Sequence, residues 1–216
     1  PQCDADLHRL VCYINTTLDL RQLSWCGDRR EDLSLKVFAD ADFAGCVRTQ
    51  RSTTGVVMLM EGPYTRFLLG AASKRQTAVS HSTPEAEMIA GAYALRAEAI
   101  PQTQLWDVLL GRNVHCVMGE DNEAMMKIVK SQQSAKLRHL ARTHRINIAF
   151  LCERFADDPF LTMVRTASDD QAADMYTKRF HDPIKWAQQL YLNNIVRTKE
   201  FWGEKSLAAY LNAVIP

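Results

Sequence analysis

Long hydrophobic runs are missing from this 216-residue chain. The longest uncharged apolar stretches, such as Gly55 to Met60 and Met88 to Leu95, fall well short of the roughly 18 residues that a membrane span needs. The opening Pro1-Gln2-Cys3-Asp4 carries neither a basic n-region nor an apolar h-region, so no secretory signal is read there. An initiator Met is also missing, which reads as a fragment of a longer product. Cysteines are few and scattered: Cys3, Cys12, Cys26, Cys46, Cys116 and Cys152 form no Cys-x-x-Cys pair. That disfavours zinc and a disulfide scaffold, and predicts reduced, buried thiols in a cytoplasmic protein. Excess charge is absent too. Lys and Arg total 26 against 25 acids, a net charge of +1, too little to coat nucleic acid by bulk charge alone.

What is present is an ordinary folded composition, 47% apolar and 24% charged. Apolar residues at Leu7, Leu10, Val11, Ile14 and Leu18 predict a helix over 4–22. Three strands follow, Leu33 to Ala39 with Asp40 at its end, Val56 to Met60, and Arg66 to Ser73. Their short links predict an antiparallel meander, because parallel neighbours need a long crossover. Ser82-Thr83-Pro84-Glu85 is a helix-start signal, and the helix is expected to run from Glu85 to about Leu110 with Pro101 as a kink or break. A strand at Val114 to Met118 reaches Glu120-Asp121, and a helix starts at Asn122. A helix over 142–155, a strand at Phe160 to Val164 and helices over 169–178 and 183–195 complete the order. The whole predicts an α/β fold: a five-stranded mixed sheet, the meander plus two crossover strands, with helices on both faces.

Charge is unevenly spread. From Lys127 to Arg154 the chain carries seven basic residues, among them Lys136, Arg138 and Arg142, against the single acid Glu153. This is either a solvated helix face or a surface for a phosphate backbone.

Four carboxylates fall where sites of α/β proteins are built, at strand ends and helix starts: Asp40, Glu87, Asp121 and Asp174. Singly, each also reads as a turn residue, a helix-dipole partner, a cap or a surface charge, and periodicity does not show that they converge. Packed together they would need a cation, since their repulsion otherwise protonates one of them. An all-oxygen set favours Mg²⁺ or Mn²⁺, and two such ions can clamp the attacking and leaving oxygens of a phosphodiester.

Four blocks sharpen that reading. Phe38-Ala39-Asp40-Ala41-Asp42-Phe43-Ala44-Gly45-Cys46 with Arg51-Ser52-Thr53-Thr54-Gly55, then Ser82-Thr83-Pro84-Glu85-Ala86-Glu87-Met88-Ile89-Ala90, Glu120-Asp121-Asn122-Glu123-Ala124, and Gln171-Ala172-Ala173-Asp174-Met175-Tyr176-Thr177-Lys178 stand in one order. Together they resemble the ribonuclease H domain of copia-type LTR retrotransposon polyproteins, over about residues 4–195. The resemblance implies a ribonuclease H-like fold and Asp40, Glu87, Asp121 and Asp174 as the catalytic ligands of two Mg²⁺ or Mn²⁺ ions, with Asp42 and Glu85 in support. It implies hydrolysis of the RNA strand of an RNA–DNA hybrid during reverse transcription, in the cytoplasm or in virus-like particles, with the reverse transcriptase domain of the same polyprotein as partner and no membrane. Arg51, Ser52, Thr53, Thr54 and Asn122 would contact substrate, unless they are turn or capping residues, and Lys136, Arg138 and Arg142 would hold the backbone. It further implies that residues 1–31 are the end of the reverse transcriptase connection, 32–180 the ribonuclease H-like domain and 181–216 a helical extension.

The chain departs from the family in two places. Arg142-Thr143-His144-Arg145-Ile146-Asn147-Ile148 carries Asn147 where the family usually has an acid, and the loop from Asp157 to Phe160 has no His. These departures motivate an alternative, a decayed or domesticated module that binds RNA or hybrid without cutting it. An integrase-like nuclease of the same fold is disfavoured, because its last acid would be Glu rather than Asp174.

Overall fold

The computed structural model describes residues 2–132 and 148–197. Its centre is the strand Ser34–Asp42 (β3), where side-chain alternation decides which residues face which layer. Leu35, Val37, Ala39 and Ala41 enter one core and Phe38 enters a second core on the opposite face. Asp40 shares the parity of Phe38. It does not end the strand as expected: Asp40 pairs with Gly55 and the strand runs on to Asp42.

Six strands form the main sheet. After Leu20–Gln22 (β1) come Trp25–Cys26 (β2), β3, Thr53–Gly62 (β4), Thr65–Arg75 (β5), Cys116–Glu120 (β6) and Leu161–Arg165 (β7), arranged in the order β2-β5-β4-β3-β6-β7. β3, β4 and β5 form the expected antiparallel meander, while β6 lies parallel to β3 and β7 parallel to β6. The five expected strands are all there. The sixth, β2, is a two-residue edge strand paired to β5 through Trp25↔Arg66 and Cys26↔Thr65, too short for alternation to reveal it.

The helix Thr83–Tyr93 (α2) starts as its sequence dictates. Ser82 Oγ accepts the Glu85 backbone N–H at 3.3 Å, and the Glu85 carboxylate accepts the His81 backbone N–H at 3.0 Å. Ala86, Met88, Ala90 and their neighbours then pack on the Leu35 face of the sheet with Glu123–Ser131 (α4) and Ile148–Asp157 (α5). The expected break at Pro101 is instead a change of helix type. Ala94–Ala99 is π-helical and leads into Ile100–Leu110 (α3), with Pro101 in its first turn. Pro101 has no N–H to give and its ring crowds the carbonyl four residues back, so a widened turn keeps the rod continuous.

On the Phe38 face, residues 169–178 do not form the expected α-helix. They make tight 3₁₀ turns, Ser168–Asp170 and Ala172–Tyr176, whose Ala172 and Ala173 seal the core of Phe38, Val57 and Leu59. Buried amides hold this segment down: Gln171 Nε2 donates to Ala39 O at 3.1 Å, and Asn193 Nδ2 of the following layer donates to Ala172 O at 3.1 Å. Gly55 lets it approach. A Cβ there would lie 2.7 Å from both Ala173 O and Thr177 Cγ2. Gly55→Ala is therefore expected to destabilise the fold by about 1–3 kcal/mol, read as a lower urea midpoint; an unchanged midpoint contradicts this packing.

Residues 2–22 and 183–197 fold differently from their periodicity. Among the described residues the first helix is Gln2–Thr16 (α1), and the last, Pro183–Leu192 (α6), stops before Asn194 at φ 57°. Leu20–Gln22, expected as helix, is β1, and it pairs with Ile195–Arg197 (β8). The expected helix over 142–155 is described from Ile148 onward, and 142–147 lie outside the described residues. Leu7, Leu10, Val11, Ile14 and Leu18 are exposed, so the apolar stripe of α1 faces outward. The buried-thiol expectation holds for Cys116 and Cys152 but not for half-buried Cys46 or for Cys3, Cys12 and Cys26, which lie exposed on α1 and the edge strand. Among the described residues no helix is long and apolar enough to cross a membrane.

Candidate metal centre

Three of the four expected acids meet. Asp40 comes from β3, Glu87 from the early part of α2 and Asp121 from the residue after β6, and one carboxylate oxygen of each lies within 4.8 Å of the others. Asp40 and Glu87 are buried and Asp121 is half-buried. Such a triad offers a hard cation three oxygen ligands from three elements, which fixes its place without a loop having to close.

Glu120 adds an acid whose role the sequence reading did not assign. It lies on the same side of β6 as Cys116 and Met118 and is fully buried. Glu120 Oε1 accepts the Asn122 backbone N–H at 3.0 Å. Its Oε2, like Glu87 Oε2, is buried with no hydrogen-bond partner among the described residues. The electrostatic result is severe. Burial first, then the charges of Asp40, Glu120 and Asp121, push the Glu87 carboxyl up to about 10. Burial likewise pushes Glu120 up to about 8, with Asp121 and Asp40 adding to it. Orphaned carboxylate oxygens beside like charges are a strained arrangement that a divalent cation relieves, so these residues fit Mg²⁺ or Mn²⁺.

Asp174 stands beside the triad rather than in it. Burial and the charge of Asp40 push it up to about 7, against the pull of Lys178. Lys178 links the two acids, its Nζ lying 2.7 Å from Asp174 Oδ1 and 3.2 Å from Asp40 Oδ1. Burial alone would lower the Lys178 ammonium, but the Asp40 and Asp174 carboxylates outweigh it and hold its pKa above the usual lysine value. Thr177 Oγ1 donates to Asp40 Oδ2. Lys178 and Thr177 stand in the fourth sequence block without an assigned role. The signal for Lys178 was its spacing, four residues after Asp174, which puts two side chains on one side of a helical turn.

The supporting acids divide. Glu85 serves the start of α2, whereas Asp42 borders the centre, its carboxyl raised by burial and by Asp40. Of the candidate substrate residues, Ser52 is fully buried and its Oγ accepts the Ala44 N–H at 3.1 Å, bracing the loop after β3. Thr54 Oγ1 accepts from Gln76 Nε2 at 3.1 Å, and Asn122 Oδ1 caps α4 by accepting the Met125 N–H at 3.0 Å. Arg51 is exposed and Thr53 half-buried at the start of β4. Lys136, Arg138 and Arg142 lie outside the described residues.

No family model matches the chain. A curated relative, the retrovirus-related Pol polyprotein from transposon TNT 1-94 of Nicotiana tabacum, is 28% identical over 148 residues, covering 68% of this chain and 10% of that polyprotein. The chain thus spans about a tenth of the relative's length. Among solved structures, a compost metagenome ribonuclease H1 (LC11-RNase H1) aligns at a TM-score of 0.45 and 16% identity, over 67% of this chain and 92% of that one. The NurA nuclease of Sulfolobus solfataricus aligns at 0.40 and 8% identity, over 86% and 64%. The chain thus joins a mixed sheet with helices on either side to a sequence similar to a stretch of a retrotransposon Pol polyprotein.

Proposed function

We propose that this protein is a divalent-metal-dependent nuclease that hydrolyses the RNA strand of RNA–DNA hybrids for a reverse-transcribing element, acting with the reverse transcriptase domain of the same polyprotein. The observation that carries the proposal is the meeting of Asp40, Glu87 and Asp121 around unpartnered, buried carboxylate oxygens. Asp40, Glu87 and Asp121 would hold the metal, with Asp174 at the margin. Bound there, Mg²⁺ or Mn²⁺ supplies an acidified water and a stabilising charge for the leaving 3′ oxygen.

The protein's own contribution is orientation. Thr177 and Lys178 fix both oxygens of Asp40, and the Asn122 N–H fixes one oxygen of Glu120. The Ser52 hydroxyl shapes the loop after β3 from beneath, leaving exposed Arg51 beside it to meet the hybrid. Choice of RNA over DNA would rest on the 2′-hydroxyl and the minor-groove shape.

A labelled hybrid tests this directly. The purified chain is expected to cut the RNA strand in Mg²⁺ or Mn²⁺ and not in EDTA, and Asp40→Asn to lower the rate by about a thousandfold. Binding without cutting in either metal, with affinity that falls steeply with salt, would establish the non-cutting alternative instead, and an Asp40→Asn variant of full activity would remove the centre.

A further inference from the structure

A divalent cation shared by Asp40 and Asp174 would have to sit at about 2.1 Å from each carboxylate. That space is already taken. Lys178 Nζ lies between the same two carboxylates, at 3.2 and 2.7 Å, and the pair it joins is buried on the acid side: the Asp40 side chain is 2% exposed and that of Asp174 11%. Among the described residues no ammonium or guanidinium is paired with Glu87 or Asp121, and the cluster's buried unpartnered oxygens lie on that side, on Glu87 and Glu120.

We propose that Lys178 is a positioning residue that acts as a tethered cation in one half of the centre: the triad takes one divalent ion readily, and a second enters beside Asp174 only by displacing the Lys178 ammonium. The inference rests on the metal-centre reading above and deepens it by making the two halves of the centre unequal. The physical basis is competition for the same oxygens. An ammonium neutralises one charge from a longer distance than a divalent ion does, so it stabilises the metal-free fold without filling the triad. Its displacement frees a flexible cationic side chain at the rim of the site, where its charge faces incoming phosphates. The i,i+4 link to Asp174 means that displacement also loosens the Ala172–Tyr176 turn, which Asn193 and Gln171 hold from beneath.

The test is a titration of the full chain with Mn²⁺, followed by calorimetry and by electron paramagnetic resonance. Wild type is expected to show one strong site and one weaker site, and Lys178→Met to tighten the weaker site more than fivefold while changing the stronger one less. A smaller change at the weaker site, or two equal sites in wild type, overturns the inference while leaving the nuclease reading intact; no bound Mn²⁺ in either protein overturns both. Wild type alone gives a second readout should Lys178→Met fail to fold. Amine-labelling of Lys178, followed by peptide mass spectrometry, is expected to accelerate over the Mn²⁺ range of the second site, whereas a constant or falling rate overturns the inference.

Discussion

Glu87→Gln is expected to make the metal-free protein more stable and to remove nearly all of the proposed nuclease activity. Glutamine keeps the shape of the side chain but carries no charge, and Glu87 is the residue whose carboxyl is pushed furthest, to about 10. At pH 8 without metal, folding the native chain requires Glu87 to take up a proton that the unfolded chain releases. The substitution removes that cost, a gain of about a few kcal/mol, or a melting temperature higher by about 5 °C or more in EDTA. On the proposed function the same change replaces an anionic ligand by a neutral amide oxygen, so hybrid cleavage should fall by about a thousandfold and the metal-induced rise in melting temperature should shrink with it. Thermal melts with and without Mg²⁺ and a cleavage assay decide the matter. A variant less stable than wild type in EDTA would show that Glu87 is held by packing and not strained by charge.

The second large effect is the pH dependence of stability. Asp174 is raised to about 7, Glu120 to about 8 and Glu87 to about 10. For acids whose folded pKa lies above the unfolded value, the proton-linked stability is complete below the unfolded values of 3.8 and 4.5 and is lost progressively as pH rises to the folded pKa values. Lys178, raised as a base, keeps its contribution throughout this window. The melting temperature in EDTA is therefore expected to fall by about 10 °C from pH 5 to pH 9, most steeply below pH 7, where all three acids hold protons that the unfolded chain has lost. Mg²⁺ or Mn²⁺ favours the ionised acids and so should raise the melting temperature more at pH 9 than at pH 5. A flat profile in EDTA, or a metal effect that shrinks with rising pH, would contradict the charge strain described for the cluster.

How far the sequence spoke for itself differs by residue. Alternation of Leu33, Leu35 and Val37 was enough to locate β3, though not its second apolar face, and the turn chemistry at Ser82-Thr83-Pro84-Glu85 was enough to start α2. Asp40, Glu87 and Asp121 were therefore placed on the right elements by local rules, although only the resemblance supplied a reason for them to meet. Glu120 was within reach of the same parity rule, since it follows Cys116 and Met118 on the inward side of β6. Pro101 misled because local propensity has no term for a widened turn that keeps a helix going. The stretch Ala172–Tyr176 misled because its shape is set by Gly55 and Gln171, through contacts with strands far away in sequence. Lys178 belongs with these: its partner Asp174 is near in the chain, but its other partner, Asp40, is 138 residues away.

That distance has a consequence for biosynthesis. A ribosome delivers the chain from its first residue onward, so Asp40, Glu87 and Asp121 emerge well before Thr177 and Lys178, which brace Asp40. Until the stretch after β7 is out of the exit tunnel, the half-made protein carries these acids without the Lys178 ammonium that pairs with Asp40. Nascent chains stalled before Gln171 should consequently stay loosely folded or borrow ions from the cell, and the centre is finished only once the stretch after β7 has been made.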